Sequence, residues 1–117
     1  VNNNVLVMEF LGKDGLRYPL LKDVGPKNPE EDFTTVIDAV KTMYGEGLIH
    51  ADLSEYNILI YDKLYFIDFA QATISEDPRA EEFLRRDLEN IRRYFSRYCE
   101  VPDTEALFYE VVEWKNM

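Results

Sequence analysis

Leu48-Ile-His-Ala-Asp-Leu-Ser-Glu-Tyr-Asn-Ile-Leu-Ile-Tyr-Asp-Lys-Leu-Tyr-Phe-Ile-Asp-Phe-Ala-Gln71 is the stretch whose spacing decides how the chain folds. His50 stands two residues before Asp52, Asn57 follows five residues after that aspartate, and Asp68 closes a second apolar run. The runs Asn57 to Tyr61 and Leu64 to Ile67 are rich in β-branched and aromatic residues, with only Asp62-Lys63 between them. So short a connection predicts two adjacent antiparallel strands. Asn57 opens the first strand and Asp68 ends the second, which puts both side chains at the same end of the ribbon, with Asp52 on the loop leading in.

Two carboxylates and an amide gathered in this way suit phosphoryl transfer. Hard cations such as Mg²⁺ take carboxylate and amide oxygens and are shared with the phosphate oxygens of ATP. Asn57 and Asp68 are the expected metal ligands, and Asp52 the base or positioning group for an attacking hydroxyl or water. His50 is expected to brace the loop rather than to carry a proton. Asp and Asn also cap turns and strand ends, so any one of the three alone would read as turn chemistry. Their joint appearance around a strand-turn-strand favours the metal and phosphate reading.

The wording His50-Ala-Asp-Leu-Ser-Glu-Tyr-Asn57, followed by Ile67-Asp-Phe-Ala-Gln71, resembles the RIO family of atypical protein kinases, most closely its type 1 branch. Ser54 and Ala70 stand where ordinary protein kinases carry Lys and Gly, and Ala51 where kinase-like small-molecule phosphotransferases usually carry Gly. The resemblance extends through Met8-Glu-Phe-Leu-Gly12 and Asp77-Pro-Arg-Ala-Glu-Glu-Phe-Leu-Arg-Arg-Asp87. It implies an α+β fold, the mainly helical C-terminal lobe of a kinase, over residues 1–117. Residues 1–12 would form a hinge strand and hinge, and 13–117 the helical lobe with its small catalytic β-hairpin. It further implies ATP with Mg²⁺, or Mn²⁺ in its place, with the adenine paired to the backbone of Glu9 and Leu11 and Met8 behind it. Asp87 would support the catalytic-loop backbone, and Asp68 would also accept phosphate transiently. A serine/threonine kinase or ATPase acting in small-ribosomal-subunit maturation is the function the resemblance implies, with a pre-small-subunit particle as partner.

The Gly-rich loop and phosphate-pairing lysine of kinases are not seen in the sequence, so an N-terminal lobe is expected upstream, and the lobe alone is expected to be a poor enzyme. Between Asp68 and Pro78 there is no room for a long activation segment, another likeness to the RIO pattern. The remaining readings are a small-molecule phosphotransferase on the same fold and a non-catalytic nucleotide- or RNA-binding assembly factor.

Composition bounds these readings without choosing among them. The 117 residues, 46% hydrophobic and 14% aromatic, suffice for one core. No apolar run approaches a membrane span, no signal peptide is visible at the start, and the single Cys99 cannot form an internal disulfide. A reducing, cytoplasmic setting is the expectation. Cys99 reads as packing rather than chemistry. The formal charge of −10 opposes a broad nucleic-acid surface.

Residues 12–27, with Gly12, Gly15, Pro19, Gly25 and Pro26, read as a surface loop with one short helical turn at the entrance to the site. Asn28 as cap and Pro29 at the first position start a helix with Phe33, Val36, Ile37, Val40, Met43 and Tyr44 on its buried face, ended by Gly45 and Gly47. A second helix, capped by Asp77, begins near Pro78 and buries Leu84, Leu88, Ile91, Phe95 and Tyr98. Its other face bears Arg85, Arg86, Arg92, Arg93 and Arg97, which could meet RNA phosphates. The glutamates Glu81, Glu82 and Glu89 lie four residues before three of these arginines, which favours ordinary helix pairs. A third helix, capped at Asp103 or Thr104, carries Leu107, Phe108, Val111 and Val112 toward Trp114.

Overall fold

The computed structural model describes residues 18–60 and 63–115. A short helix α1 (Leu21–Val24) is followed by α2 (Pro29–Gly45), β1 (Leu48–Ile49), a single 3-10 turn (Glu55–Asn57), β2 (Ile58–Ile60) and β3 (Leu64–Phe66). Then come β4 (Thr73–Ile74), α3 (Ala80–Phe95) and α4 (Thr104–Lys115). This is an α+β arrangement, mainly helical, with two small antiparallel pairs, β1 with β4 and β2 with β3.

Helix α2 starts as Pro29 and the acidic first turn predict, but its cap works in reverse. Asn28 makes no side-chain cap; its backbone N–H donates to Asp32 Oδ2 at 3.2 Å and its amide donates to Glu31 Oε1 at 3.0 Å. The carboxylates of the first turn thus reach back, as the glutamate of a capping box does. The helix ends where Gly47, at φ 87°, takes a left-handed conformation and donates to Tyr44 O at 2.9 Å.

Helix α3 starts two residues later than expected. Asp77 caps the turn before it, accepting from Arg79 N at 2.8 Å and from Thr73 Oγ1 at 2.8 Å. Its buried face holds Leu84, Leu88, Ile91 and Phe95 as expected, with Tyr94 instead of Tyr98 as the buried tyrosine. The helix stops at Phe95, so Tyr98 lies in the following turn, 47% exposed, while the Tyr94 hydroxyl donates to Leu21 O at 2.9 Å. Asp103 caps α4, accepting from Ala106 N at 2.8 Å.

Helix α4 packs on both α2 and α3, and the core between them joins Phe33, Val36, Val40, Leu84, Leu88, Ile91, Phe95, Leu107 and Val111. Each such side chain contributes roughly 1.5–3 kcal/mol through removal from water. Cys99 packs against this core, its thiol pushed up chiefly by burial.

Two expectations about the loops need correction. Leu21 is fully buried, Leu20 bridges Leu59, and Ile60 N donates to Pro19 O at 2.9 Å, so Leu20 and Leu21 pack along β2, while Pro19 and residues 22–24 stay at the surface. In the hairpin, Ile58 faces Phe66 and Ile60 faces Leu64, which leaves three residues in the connection rather than two. The one-residue change in register sets Asn57 opposite Ile67, whose N–H donates to Asn57 O at 3.0 Å. The expected hinge, with Met8, Glu9 and Leu11, lies outside the described residues.

Candidate active site

The loop between β1 and the 3-10 turn is held almost entirely by side chains. Ala51 N donates to Asp87 Oδ2 at 2.8 Å and Leu53 N donates to Asp87 Oδ1 at 3.0 Å, so one carboxylate straddles Asp52. Asp52 N donates to His50 Nδ1 at 3.2 Å, and the Asn57 amide donates to Asp52 O. Arg86 donates to Ala51 O at 2.9 Å and Asn90 to Leu53 O at 3.2 Å. The left-handed φ of 70° at Ala51 turns the chain into this geometry. For an L-residue with a Cβ that conformation costs about 1–2 kcal/mol, which the surrounding bonds offset.

His50 is 1% exposed and ties the two halves of the site together. With Nδ1 accepting from Asp52 N, the ring hydrogen lies on Nε2 and donates to Ile67 O at 2.9 Å, the residue before Asp68. Its ring also packs against Phe69 at 4.7 Å between centroids. His50 thus bonds to both ends of the segment it is expected to brace.

Asp68 leaves β3 with φ 66°, a left-handed conformation that aspartate tolerates better than most residues. The structure brings Asp52, Asn57 and Asp68 onto one connected frame: Asn57 bonds to the carbonyl of Asp52, and Ile67, beside Asp68, bonds to the carbonyl of Asn57. The side chains of Asp52 and Asp68 are exposed, and among the described residues neither carboxylate accepts a hydrogen bond or pairs with a cation. Ser54 Oγ accepts from Tyr56 N at 3.2 Å and shapes the turn that delivers Asn57.

Asp87 is buried, and burial pushes its carboxyl up to about 6, against the lowering pull of the Leu53 and Ala51 N–H groups, His50 and Arg86. Asp77 moves the other way, held down to about 2 by the Arg79 backbone N–H, the Thr73 hydroxyl and the Arg79 side chain.

The basic stripe of α3 is mostly engaged within the chain. Arg85 pairs with Glu105 at 2.7 Å and lies 3.9 Å over the Phe108 ring. Arg92 pairs with Glu89 at 3.2 Å, Arg93 donates to Asn90 Oδ1 at 2.8 Å, and Arg97 lies over Tyr94. Arg86, grouped with the stripe by sequence, turns to the loop at residues 51–53. Asn90 carried no expectation at all, although its position three residues after Asp87 on the same helix face was the available signal.

Among the described residues no three His, Cys, Asp or Glu converge into a metal cage. The donors that fit a hard cation are the Asp68 carboxylate and the Asn57 amide oxygen. With its nitrogen committed to Asp52 O, Asn57 keeps its oxygen as an acceptor. One or two such ligands suit a Mg²⁺ ion that shares its remaining positions with phosphate and water.

Comparison with known proteins agrees with this frame. The model of the RIO domain matches residues 1–107. The RIO-type serine/threonine-protein kinase Rio1 of Thermoplasma acidophilum is 44% identical over 95 residues, 81% of this chain and 50% of the relative. The serine/threonine-protein kinase RIO1 of Saccharomyces cerevisiae is 45% identical over 103 residues, 83% of this chain and 21% of the relative. The human RIO1 kinase is 38% identical over 116 residues, 96% of this chain and 20% of the relative. The chain thus spans half or less of the length of these relatives. In fold it is similar to the Rio2 kinase of Chaetomium thermophilum, solved as an ADP/Mg²⁺-phosphoaspartate complex, with a TM-score of 0.64 at 24% identity over 79% of this chain and 32% of that one. Motif, fold and relatives agree that the chain belongs to the RIO family, on a kinase-like fold.

Proposed function

We propose that the chain carries the phosphoryl-transfer centre of a Mg²⁺-dependent, ATP-using serine/threonine kinase or ATPase. The observation that carries this reading is a pair of carboxylates, Asp52 and Asp68, unpaired among the described residues, on one connected frame with an Asn57 amide whose oxygen is left as a ligand. Asp52 orients or deprotonates the attacking hydroxyl or water. Asn57 and Asp68 would hold Mg²⁺, or Mn²⁺ in its place, and the metal supplies neutralisation of phosphate charge. Met8, Glu9 and Leu11 are the proposed adenine contacts.

Asp68 also serves as an acceptor. An Oδ of Asp68 attacks the γ-phosphorus, the bond from that phosphorus to the β,γ-bridging oxygen breaks, and ADP leaves with the bond's electrons. Water then attacks the acyl phosphate, releasing inorganic phosphate and restoring the carboxylate. The phosphoaspartate of the Chaetomium Rio2 crystal supports this reading. Action on a pre-small-ribosomal-subunit particle, in the cytoplasm, completes the proposal and rests on the family alone.

The test is incubation of the full-length protein with Mg²⁺ and γ-labelled ATP beside its Asp68→Asn variant. Label in free phosphate, or on protein in hydroxylamine-sensitive form, and absent from the variant supports the proposal. Label on added sugars or aminoglycosides would instead indicate a small-molecule phosphotransferase, and nucleotide binding without turnover a scaffold.

A further inference from the structure

We propose that Arg86 and Asn90 are positioning residues for phosphoryl transfer, setting the peptide planes around Asp52 so that its carboxylate is delivered in one orientation. The proposal rests on the reading of Asp52 given above.

All six main-chain polar groups of residues 51–53 bond to side chains: the N–H groups to Asp87, His50 and Asp87, the carbonyls to Arg86, Asn57 and Asn90. The two peptide planes that flank the Asp52 Cα are each held at both ends. The plane between Ala51 and Asp52 is held by Arg86 at its oxygen and His50 at its nitrogen. The plane between Asp52 and Leu53 is held by Asn57 at its oxygen and Asp87 at its nitrogen. Asn90 then holds the next carbonyl, that of Leu53.

A plane held at one end can still tilt about that bond, whereas a plane held at both cannot. Asp87 alone therefore cannot fix the dihedral angles of Asp52. Arg86 is the group whose loss frees the preceding plane, and Asn90 the group that stops Leu53 from rotating out of register. All three come from one helix face, at residues 86, 87 and 90, so the loop takes its orientation from α3 as a rigid body. Among the described residues Arg86 makes no other hydrogen bond and no salt bridge, its charge is felt by the Asp87 carboxylate, and its guanidinium lies 5.0 Å from the Phe83 ring centroid, which helps hold it in place. Misplacing a catalytic group by about 1 Å can reduce turnover about a hundredfold.

The experiment compares Arg86→Gln, Arg86→Lys, Asn90→Asp and Arg93→Gln in the full-length protein, reading kcat and KM for ATP, ADP affinity, melting temperature and amide exchange at residues 51–53. Asn90→Asp keeps an acceptor for Arg93, removes the donor to Leu53 and sets a negatively charged oxygen against that carbonyl. Arg93→Gln removes the outer bond to Asn90 together with the exposed Arg93–Glu89 pair, and leaves the donor to Leu53 in place. The expected result is a fall in kcat of about tenfold to a hundredfold for Arg86→Gln and Asn90→Asp. ADP affinity should stay within about twofold, Arg86→Lys should recover part of the rate, Arg93→Gln should match wild type, and exchange at 51–53 should speed up in the two impaired variants. Wild-type kcat in both Arg86→Gln and Asn90→Asp would overturn the proposal, as would a parallel loss of kcat, ADP affinity and melting temperature. If the wild type itself shows no turnover, the reading of Asp52 fails. Unchanged amide exchange in Arg86→Gln and Asn90→Asp would separately remove the positioning role.

Discussion

Replacing Asp87 by Asn should stabilise the protein near neutral pH while slowing phosphoryl transfer. The buried carboxyl has its pKa raised from 3.8 to about 6. Because the folded state binds this proton more tightly than the unfolded chain, stability attributable to the group is greatest below about pH 4, falls as pH rises through about 6, and is level above that. At about 1.4 kcal/mol per pH unit, the difference between 3.8 and about 6 comes to about 3 kcal/mol of native-state cost at pH 7.5. Asparagine is uncharged and nearly isosteric, so it avoids that cost. Its NH₂ must face one of the two N–H donors now bound by Asp87, which returns about 1 kcal/mol. Asp87→Asn should therefore be about 2 kcal/mol more stable than wild type at pH 7.5, with the gap closing toward pH 4. Urea unfolding of both proteins at a series of pH values measures this directly. Phosphoryl transfer should fall at least about tenfold, since one of the Ala51 and Leu53 amides loses its acceptor. A variant less stable than wild type at pH 7.5, or a gap that does not change between pH 4 and 7.5, would refute the reasoning.

Three further outcomes are expected. Ala51→Gly should leave stability within about 1 kcal/mol of wild type, because relief of the left-handed strain offsets loss of a buried methyl. Ala51→Val, a β-branched residue at φ 70°, should lower stability by more than about 2 kcal/mol in thermal unfolding. Asp77 has a folded pKa of about 2, below its ordinary 3.8, so its contribution is present above about pH 4 and lost as pH falls toward 2. Asp77→Ala should make acid unfolding between those limits less steep, as circular dichroism would record.

Local signals made most of this legible in the sequence. Pro29 and the glycines at 45 and 47 bound α2, apolar spacing marks the core face of α3, and the runs on either side of residue 62 give the hairpin. The candidate site was legible because Asp52, Asn57 and Asp68 fall within one short segment. What escaped depends on contacts between distant residues. The hairpin register is one residue off because strand ends, not composition, decide which residues pair. Arg85 meets Glu105 on another helix, so a stripe that reads as solvent-facing is partly an interhelix contact. Arg86 could not be told from its basic neighbours until the fold showed it reaching the carbonyl of Ala51.

The nested strand pairs also bear on how the site assembles. Pairing of Leu48 with Ile74 and Ile49 with Thr73 encloses the shorter pairing of Ile58 with Phe66. Once the inner ribbon has formed, only the flanking chain remains to be ordered when the outer pair closes, and the entropy of closure grows only slowly with loop length. His50, Asp52, Asn57 and Asp68 lie between the outer and the inner pair, so the short-range contacts of the site favour early formation. The helices then receive a nearly finished unit, whose final alignment falls to the few side chains of α3 that cross the boundary.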